Sequence, residues 1–113
     1  MAKDDYFVIA YKILAYLYAN LKACEELDVK MIMHDSSYIN VGESYWCYII
    51  EHLLKDGYIE GVGIKTGLDG FVYISNLNKI MITPLGIEFL KDESKVQKVK
   101  NFLKEINAMI PKI

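Results

Sequence analysis

The order of elements between Trp46 and Leu90 constrains the fold of this 113-residue chain more than any other feature. A helical apolar stripe stops at Gly57, and an extended run from Tyr58 to Lys65 follows it, with Gly61 and Gly63 expected as bends or points of close backbone approach. A glycine-bracketed turn at 66–70 leads to a second extended run, and a further helix begins at Thr83-Pro84. The order of helix, strand, turn, strand and helix predicts an α+β fold with a small antiparallel β-hairpin. It is typical of a winged helix, with the hairpin as the wing.

Long helices are predicted on both sides of this module. Residues 4 to 24 carry an apolar stripe at helical spacing, formed by Tyr6, Ile9, Ile13, Leu17 and Leu21. The opposite side of that helix is also apolar or amphipathic, with Phe7, Tyr11, Leu14 and Tyr18. A helix that is apolar nearly all round is buried on both sides. Either a second subunit or the C-terminal helix of the same chain is therefore expected to cover the second face.

The last helix is predicted from Ser94 to Ile110. Its apolar residues follow spacings of three and four, which is a coiled-coil seam over two heptads, formed by Val96, Val99, Leu103, Ile106 and Ile110. This pattern favours a homodimer, and the alternative is a helix that packs on its own domain.

The remaining boundaries follow from capping and turn residues. Residues 25 to 41 predict a short helix, with an extended piece as the alternative. Asn40 is expected to cap the next helix and Glu43 to complete a capping box, and that helix is expected to run to Asp56. A returning strand is predicted at Phe71–Ser75.

Composition limits the classes of function. A chain of this length predicts one domain, residues 1–113. All 13 basic residues are lysine and the formal net charge is −2, so the arginine that most often reads guanine is missing. Cys24 and Cys47 lack disulfide or metal spacing, which favours a reduced, cytoplasmic protein. The apolar run Tyr6–Leu21 is too short to span a bilayer, and no membrane association is expected.

The outer face of the helix at 42–56 is the first candidate for a DNA-facing or partner-facing surface. Together with the wing it predicts these site residues: Ser44, Tyr45, Tyr48, His52, Lys55 and Lys65. Residues 42–70 carry two lysines against five acids, a net charge of −3, which opposes phosphate binding. Trp46 shares the apolar stripe and is expected in the core, whereas Tyr45 and Tyr48 are candidates for a protein interface.

A second candidate is basic. Residues 91–113 carry six lysines against three acids, a net charge of +3. The lysines that predict a basic stripe are Lys91, Lys95, Lys98, Lys100 and Lys104.

Three phrases in the chain resemble one family. Tyr45-Trp46, then the run from Leu53 to Gly61 and the run from Ile82 to Leu90, followed by a lysine-rich helix, resemble the YjcQ family of small bacterial and phage-associated proteins. The resemblance covers essentially the whole chain, and its motifs are moderately specific in combination. It implies a winged-helix-like fold and a bacterial or prophage source.

Two functions are compatible with these patterns. Fold analogy predicts a transcriptional regulator that binds double-stranded DNA as a homodimer. The alternative is a winged-helix module that binds another protein and does not bind DNA. No nucleophile context, metal-ligand spacing or cofactor motif stands out, so neither an enzyme nor a cofactor is predicted.

Overall fold

A computed structural model of the protein describes residues 5–94 and 97. That part of the chain folds into three α-helices, two 3₁₀ helices and four short strands, which confirms the α+β class. The helices are α1 (Asp5–Ala23), α2 (Glu43–Lys55) and α3 (Pro84–Lys91). The strands are β1 (Ile59–Glu60), β2 (Gly63–Thr66), β3 (Val72–Ser75) and β4 (Met81–Ile82). The 3₁₀ helices are Val29–Ile32 and Leu77–Lys79.

The strands form two separate antiparallel pairs. β1 pairs with β4, with Ile59 opposite Ile82, and β2 pairs with β3 in a hairpin. The predicted strand from Tyr58 to Lys65 is divided into β1 and β2, and the bend or close backbone approach expected at Gly61 is confirmed, since the chain turns there with φ +91°. A Cβ at Gly61 would collide with the carbonyl of Lys79. Glycine there lets the chain leave one strand pair and enter the other.

The core lies where α1, α2 and the strand pair β1–β4 meet. Ile13 and Leu14 of α1 are fully buried, as are Ile49 and Leu53 of α2. Because Ile13 and Leu14 lie on the two predicted faces of α1, both faces contribute to one core. The larger set of buried side chains includes Val8, Ile9, Leu17, Ile32, Ile39, Trp46, Ile50, Ile59, Ile80, Ile82 and Phe89.

α3 covers part of the second face of α1. The ring of Phe7 stacks on Phe89 with 6.4 Å between centroids. The sequence predicts that a second subunit or the C-terminal helix covers this face, whereas α3 of the same chain covers part of it. At the other end of α1 the prediction for Leu21 is wrong, since its side chain is 44% exposed. Leu21 lies in the last turns of the helix and lines an open groove beside β4.

The segment before α2 contains the predicted short helix as the 3₁₀ turn Val29–Ile32, which is capped by the Asp28 side chain. The predicted capping box at Asn40 is wrong, because Gly42 is the residue that precedes α2. Asn40 has φ +50°, whereas a residue that caps a helix through its side chain is extended. Its N–H donates to the carbonyl of Ser36 at 2.8 Å, so Asn40 closes a turn instead.

The end of α2 and the start of α3 are joined by one side chain. α2 ends before Gly57, which has φ +82° as expected for a residue after a helix. The hydroxyl of Thr83 donates to the carbonyl of Gly57 and accepts the N–H of Gly86 at 3.1 Å. A Cβ on Gly86 would collide with the carbonyl of Tyr58. This close approach fixes α3 against the first residues after α2.

Candidate partner-binding surface

The orientation of α2 is set by its buried stripe. Trp46 is 4% exposed, and its indole N–H donates to the carbonyl of Ile32 at 2.8 Å. This hydrogen bond ties α2 to the first 3₁₀ helix and confirms the prediction that Trp46 belongs to the core. The opposite side of α2 consequently faces outward.

The outward side carries a row of aromatic rings. Tyr48 is 51% exposed, and its ring lies 6.4 Å from Tyr45, nearly parallel, and 4.1 Å from His52. The ring N–H of His52 at Nδ1 donates to the carbonyl of Tyr48 at 2.9 Å. Tyr6 of α1 completes the row at 6.4 Å from Tyr48, with the two planes at 82°. We call Tyr6, Tyr45 and Tyr48 the tyrosine cluster.

Tyr6 is the member of this cluster that the sequence did not reveal. It was assigned to the buried stripe of α1, and it is in fact half-buried against Tyr48. Burial, followed by the negative charge of Asp56 and by the neighbouring tyrosines, raises the pKa of Tyr6 to about 12. The Tyr6 ring is therefore neutral at physiological pH.

The polar residues predicted for this surface are present, but they offer little positive charge. Lys55 is exposed, and its ammonium is paired with the Glu51 carboxylate at 3.1 Å. Lys65 is exposed on β2 and Ser44 is exposed in the first turn of α2. The one strong donor predicted on the outer face of α2 is thus engaged by an acid of the same helix.

The hairpin extends this surface with apolar side chains. Leu68 at its tip is fully exposed, and Phe71 and Tyr73 are 61% and 50% exposed. The Asp69 carboxylate accepts the Tyr73 hydroxyl at 2.6 Å and the N–H of Phe71 at 3.0 Å. These two hydrogen bonds lower the pKa of Asp69 and hold the turn. The sequence predicts that these residues belong to the wing, but not that their side chains are exposed. The one signal of this exposure in the sequence is Leu68, a large apolar residue within a predicted turn.

A groove runs between α2 and the hairpin. One wall is formed by Glu43, Ser44 and Cys47, and the other includes Phe71 and Tyr73. We call the outward side of α2, this groove and the hairpin the α2–hairpin surface. It mixes large apolar side chains with acidic groups.

One protein family matches most of this chain, including α2 and the hairpin. A family model described as YjcQ protein matches residues 11–109. The chain belongs to the YjcQ family. No curated protein and no solved structure matches it. The matched residues include all of α2 and the hairpin, which confirms the resemblance drawn from their motifs.

Cys47 lies beside α2's acidic residues in this YjcQ-family chain. Burial, and then the nearby carboxylates of Glu43 and Glu51, raise the pKa of Cys47, so its thiol stays protonated and weakly nucleophilic. Residues 5–94 and 97 contain no cluster of three His, Cys, Asp or Glu side chains able to hold a metal ion. Over the same residues, no helix combines the length and hydropathy needed to cross a bilayer.

Of the predicted basic stripe, the structure describes Lys91, which is exposed at the end of α3. The rest of that stripe and the whole predicted dimer seam lie outside the described residues, namely Lys95, Lys98, Lys100, Lys104, Val96, Val99, Leu103, Ile106 and Ile110.

Proposed function

We propose that this chain is a winged-helix protein that binds another protein through the α2–hairpin surface. The order of α2, the β2–β3 hairpin and α3 supports the winged-helix assignment, with α2 in the position of a recognition helix and the hairpin as the wing. The observation that carries the proposal is the set of exposed aromatic and apolar side chains there, Tyr48, Leu68, Phe71 and Tyr73.

Exposed rings favour a protein partner over a nucleic acid. Tyrosine is enriched among the residues that contribute most to protein–protein binding. Phosphate contacts instead need an excess of cationic groups, and residues 42–70 supply two lysines against five acids, with the Lys55 ammonium 3.1 Å from the Glu51 carboxylate. With a net charge of −3 over residues 42–70, the surface fits a partner that presents apolar side chains within a basic rim.

A capture experiment tests this proposal. Tagged wild type, the double variant Tyr48→Ala/Phe71→Ala, and Leu21→Ala are used as baits in extract of the source cell. Leu21 is a matched control because it is 44% exposed and lies at the opposite end of α1 from Tyr6. We expect a protein that wild type and the control retain and that the double variant loses. Identical capture by all three baits would refute the proposal.

A second proposal, DNA binding by a regulator, is supported by a different observation, the net charge of +3 over residues 91–113. In this case the lysine stripe would contact the phosphates. Duplex affinity would then fall steeply with salt, by roughly tenfold or more between 50 and 200 mM. Absence of binding to mixed-sequence duplex at about 50 mM salt would eliminate this candidate.

We propose homodimerisation from the heptad spacing of the apolar residues at 96–110 in the sequence. A charged residue in a coiled-coil seam breaks its packing, so Leu103→Asp should convert a dimer into a monomer. Light scattering after size exclusion measures this directly. A wild-type chain that is monomeric at high concentration, or a Leu103→Asp variant that remains dimeric, would rule out the seam.

A further inference from the structure

We propose that the edge of β3 that faces away from β2 binds an extended segment of the protein partner, and that this segment carries basic side chains. The segment would lie in the groove between α2 and the hairpin and would add a third strand to the β2–β3 pair. The identity of the partner rests on the proposed function. The edge itself does not, because its hydrogen-bonding groups belong to this chain alone.

The register of the hairpin determines which main-chain groups of β3 are left for another strand. In an antiparallel pair, opposed residues alternate between those that exchange hydrogen bonds and those whose N–H and C=O groups point outward. The N–H of Gly67 donates to the carbonyl of Phe71 at 2.9 Å, which fixes the phase of this alternation. Val72 and Ile74 therefore lie in the pairs that are not hydrogen-bonded. Their N–H and C=O groups point away from β2.

The groove follows this edge. Its lining includes four consecutive residues, Phe71–Ile74. Because successive side chains of a strand point to opposite faces, a groove that touches all four lies along the edge and not over one face. Of the described residues, none from β2 lines it. The groove has a volume of about 610 Å³, which is within the range of ligand sites, and the four residues of β3 extend along it for about 13 Å.

β3 lacks the residues that protect strand edges. Unpaired N–H and C=O groups of an edge pair readily with another strand, and proteins prevent this with lysine or proline. The sequence of β3 is Val-Tyr-Ile-Ser, with neither of these, whereas β2 carries Lys65. Within the part of the chain that the structure describes, no backbone hydrogen bond joins Val72 or Ile74 to another element. This edge is therefore open to a strand from a partner.

The side chains of the groove favour a segment that is both apolar and basic. Met33 and Leu77 line it together with the carboxylates of Glu43 and Asp69, and its described lining contains no lysine or histidine. The Glu43 side chain is 75% exposed and lies 4.0 Å from the ring of His34, beyond hydrogen-bond distance. Hydrogen bonds lower the pKa of Asp69, so its carboxylate is charged. Lysine or arginine side chains of the segment would complement these acids.

A peptide titration tests the proposal without the partner. The probe is a pentapeptide of alternating lysine and valine, blocked at both ends, and a glutamate–valine peptide of the same length is the comparison. Each is added at millimolar concentration to the purified full chain. We expect the lysine peptide to slow amide hydrogen exchange at Val72 and Ile74, and to bind at least about fivefold more tightly than the glutamate peptide. Equal binding of the two peptides, or no slowing at these two amides, would overturn the proposal.

Two proline variants then locate the edge. Val72→Pro removes an N–H that points away from β2 and leaves the ladder between the strands intact, so it should weaken binding of the lysine peptide at least about fivefold. Thr66→Pro is the matched control, because Thr66 lies directly opposite Val72 and its N–H points out of the other edge of the hairpin. It should bind within about twofold of wild type. Equal affinity of the two variants would refute the assignment of the edge.

A side-chain variant repeats the test with the main chain unchanged, in case proline prevents folding. Glu43→Gln should weaken binding of the lysine peptide at least about twofold, whereas Glu51→Gln, on the same helix but outside the groove lining, should not. Equal affinity of these two variants would also count against the proposal. Slow exchange at Val72 and Ile74 that increases with protein concentration, without peptide, would assign the edge to a second copy of the chain and overturn the proposal. Since the titration needs no partner, its failure is distinct from a failed capture experiment.

Discussion

Replacement of Trp46 by phenylalanine should be among the most destabilising conservative changes in this chain. The indole N–H donates to the carbonyl of Ile32 at 2.8 Å, and Ile32 is fully buried. Loss of the donor leaves that carbonyl unpaired, which costs about 1–3 kcal/mol. The smaller ring also leaves a void that costs roughly 1 kcal/mol more. The free energy of unfolding should therefore fall by about 2–4 kcal/mol, a large part of the total for a domain of this size.

Urea unfolding followed by far-ultraviolet circular dichroism measures this change. Fluorescence is unsuitable, because Trp46 is the single tryptophan. Tyr73→Phe is the control: it removes a hydrogen bond to Asp69 of similar length, 2.6 Å, from an exposed site, and should leave the free energy of unfolding nearly unchanged. If Trp46→Phe unfolds within about 0.5 kcal/mol of wild type, the indole hydrogen bond does not fix α2 as we describe.

Three further predictions concern stability. Gly86→Ala should lower the free energy of unfolding by about 2 kcal/mol or more, because the added methyl group meets backbone; an unchanged melting temperature would contradict the close packing of α3. Thr83→Ala should cost about 1–2 kcal/mol through loss of the helix cap, and exposed Thr66→Ala on β2 should show less than half that effect in the same urea titration. Burial is the main cause that raises the pKa of Tyr6 and of Tyr38 from 10.0 to about 12. Unfolded tyrosines therefore ionise first, so this stability is complete below pH 10 and is lost as the pH rises towards 12. Tyr38→Phe should flatten this alkaline decline, and an equally steep decline in the variant would refute the assignment.

The parts of the fold that could be predicted depend on residues close in sequence. Helical spacing predicts which side of a helix is apolar, as it does for Ile9 and Ile13 in α1 and for Trp46 in α2. The end of α2 before Gly57 and the start of α3 after Thr83 follow from the conformational preferences of glycine and threonine. Their chemistry acts on the backbone within one turn. No partner elsewhere in the chain is needed to identify them.

The features that the sequence missed depend on distant contacts. Gly61 is correctly predicted as a bend or a point of close backbone approach, but that the strand ends there depends on Lys79, eighteen residues later. Asparagine is a preferred residue type for capping a helix, but the turn that contains Asn40 places it in a left-handed conformation, in which its side chain does not cap α2.

The same distinction applies to the candidate site. Helical spacing alone places Tyr45 and Tyr48 opposite the core stripe of α2. That Tyr6 of α1 joins them, and that Phe71 is left uncovered on the hairpin, follows from how α1 and β3 pack against α2. Such packing has no local signal in the sequence.

Site-specific photo-crosslinking in the source cell tests the central claim, that the α2–hairpin surface binds another protein. A benzophenone amino acid replaces Tyr48 or Phe71, and Leu21 serves as the control position because it is similarly exposed. We predict that positions 48 and 71 both crosslink to one and the same protein, different from this chain, and that position 21 does not. Crosslinks to a second copy of the chain alone, or no crosslink at either test position, would contradict it.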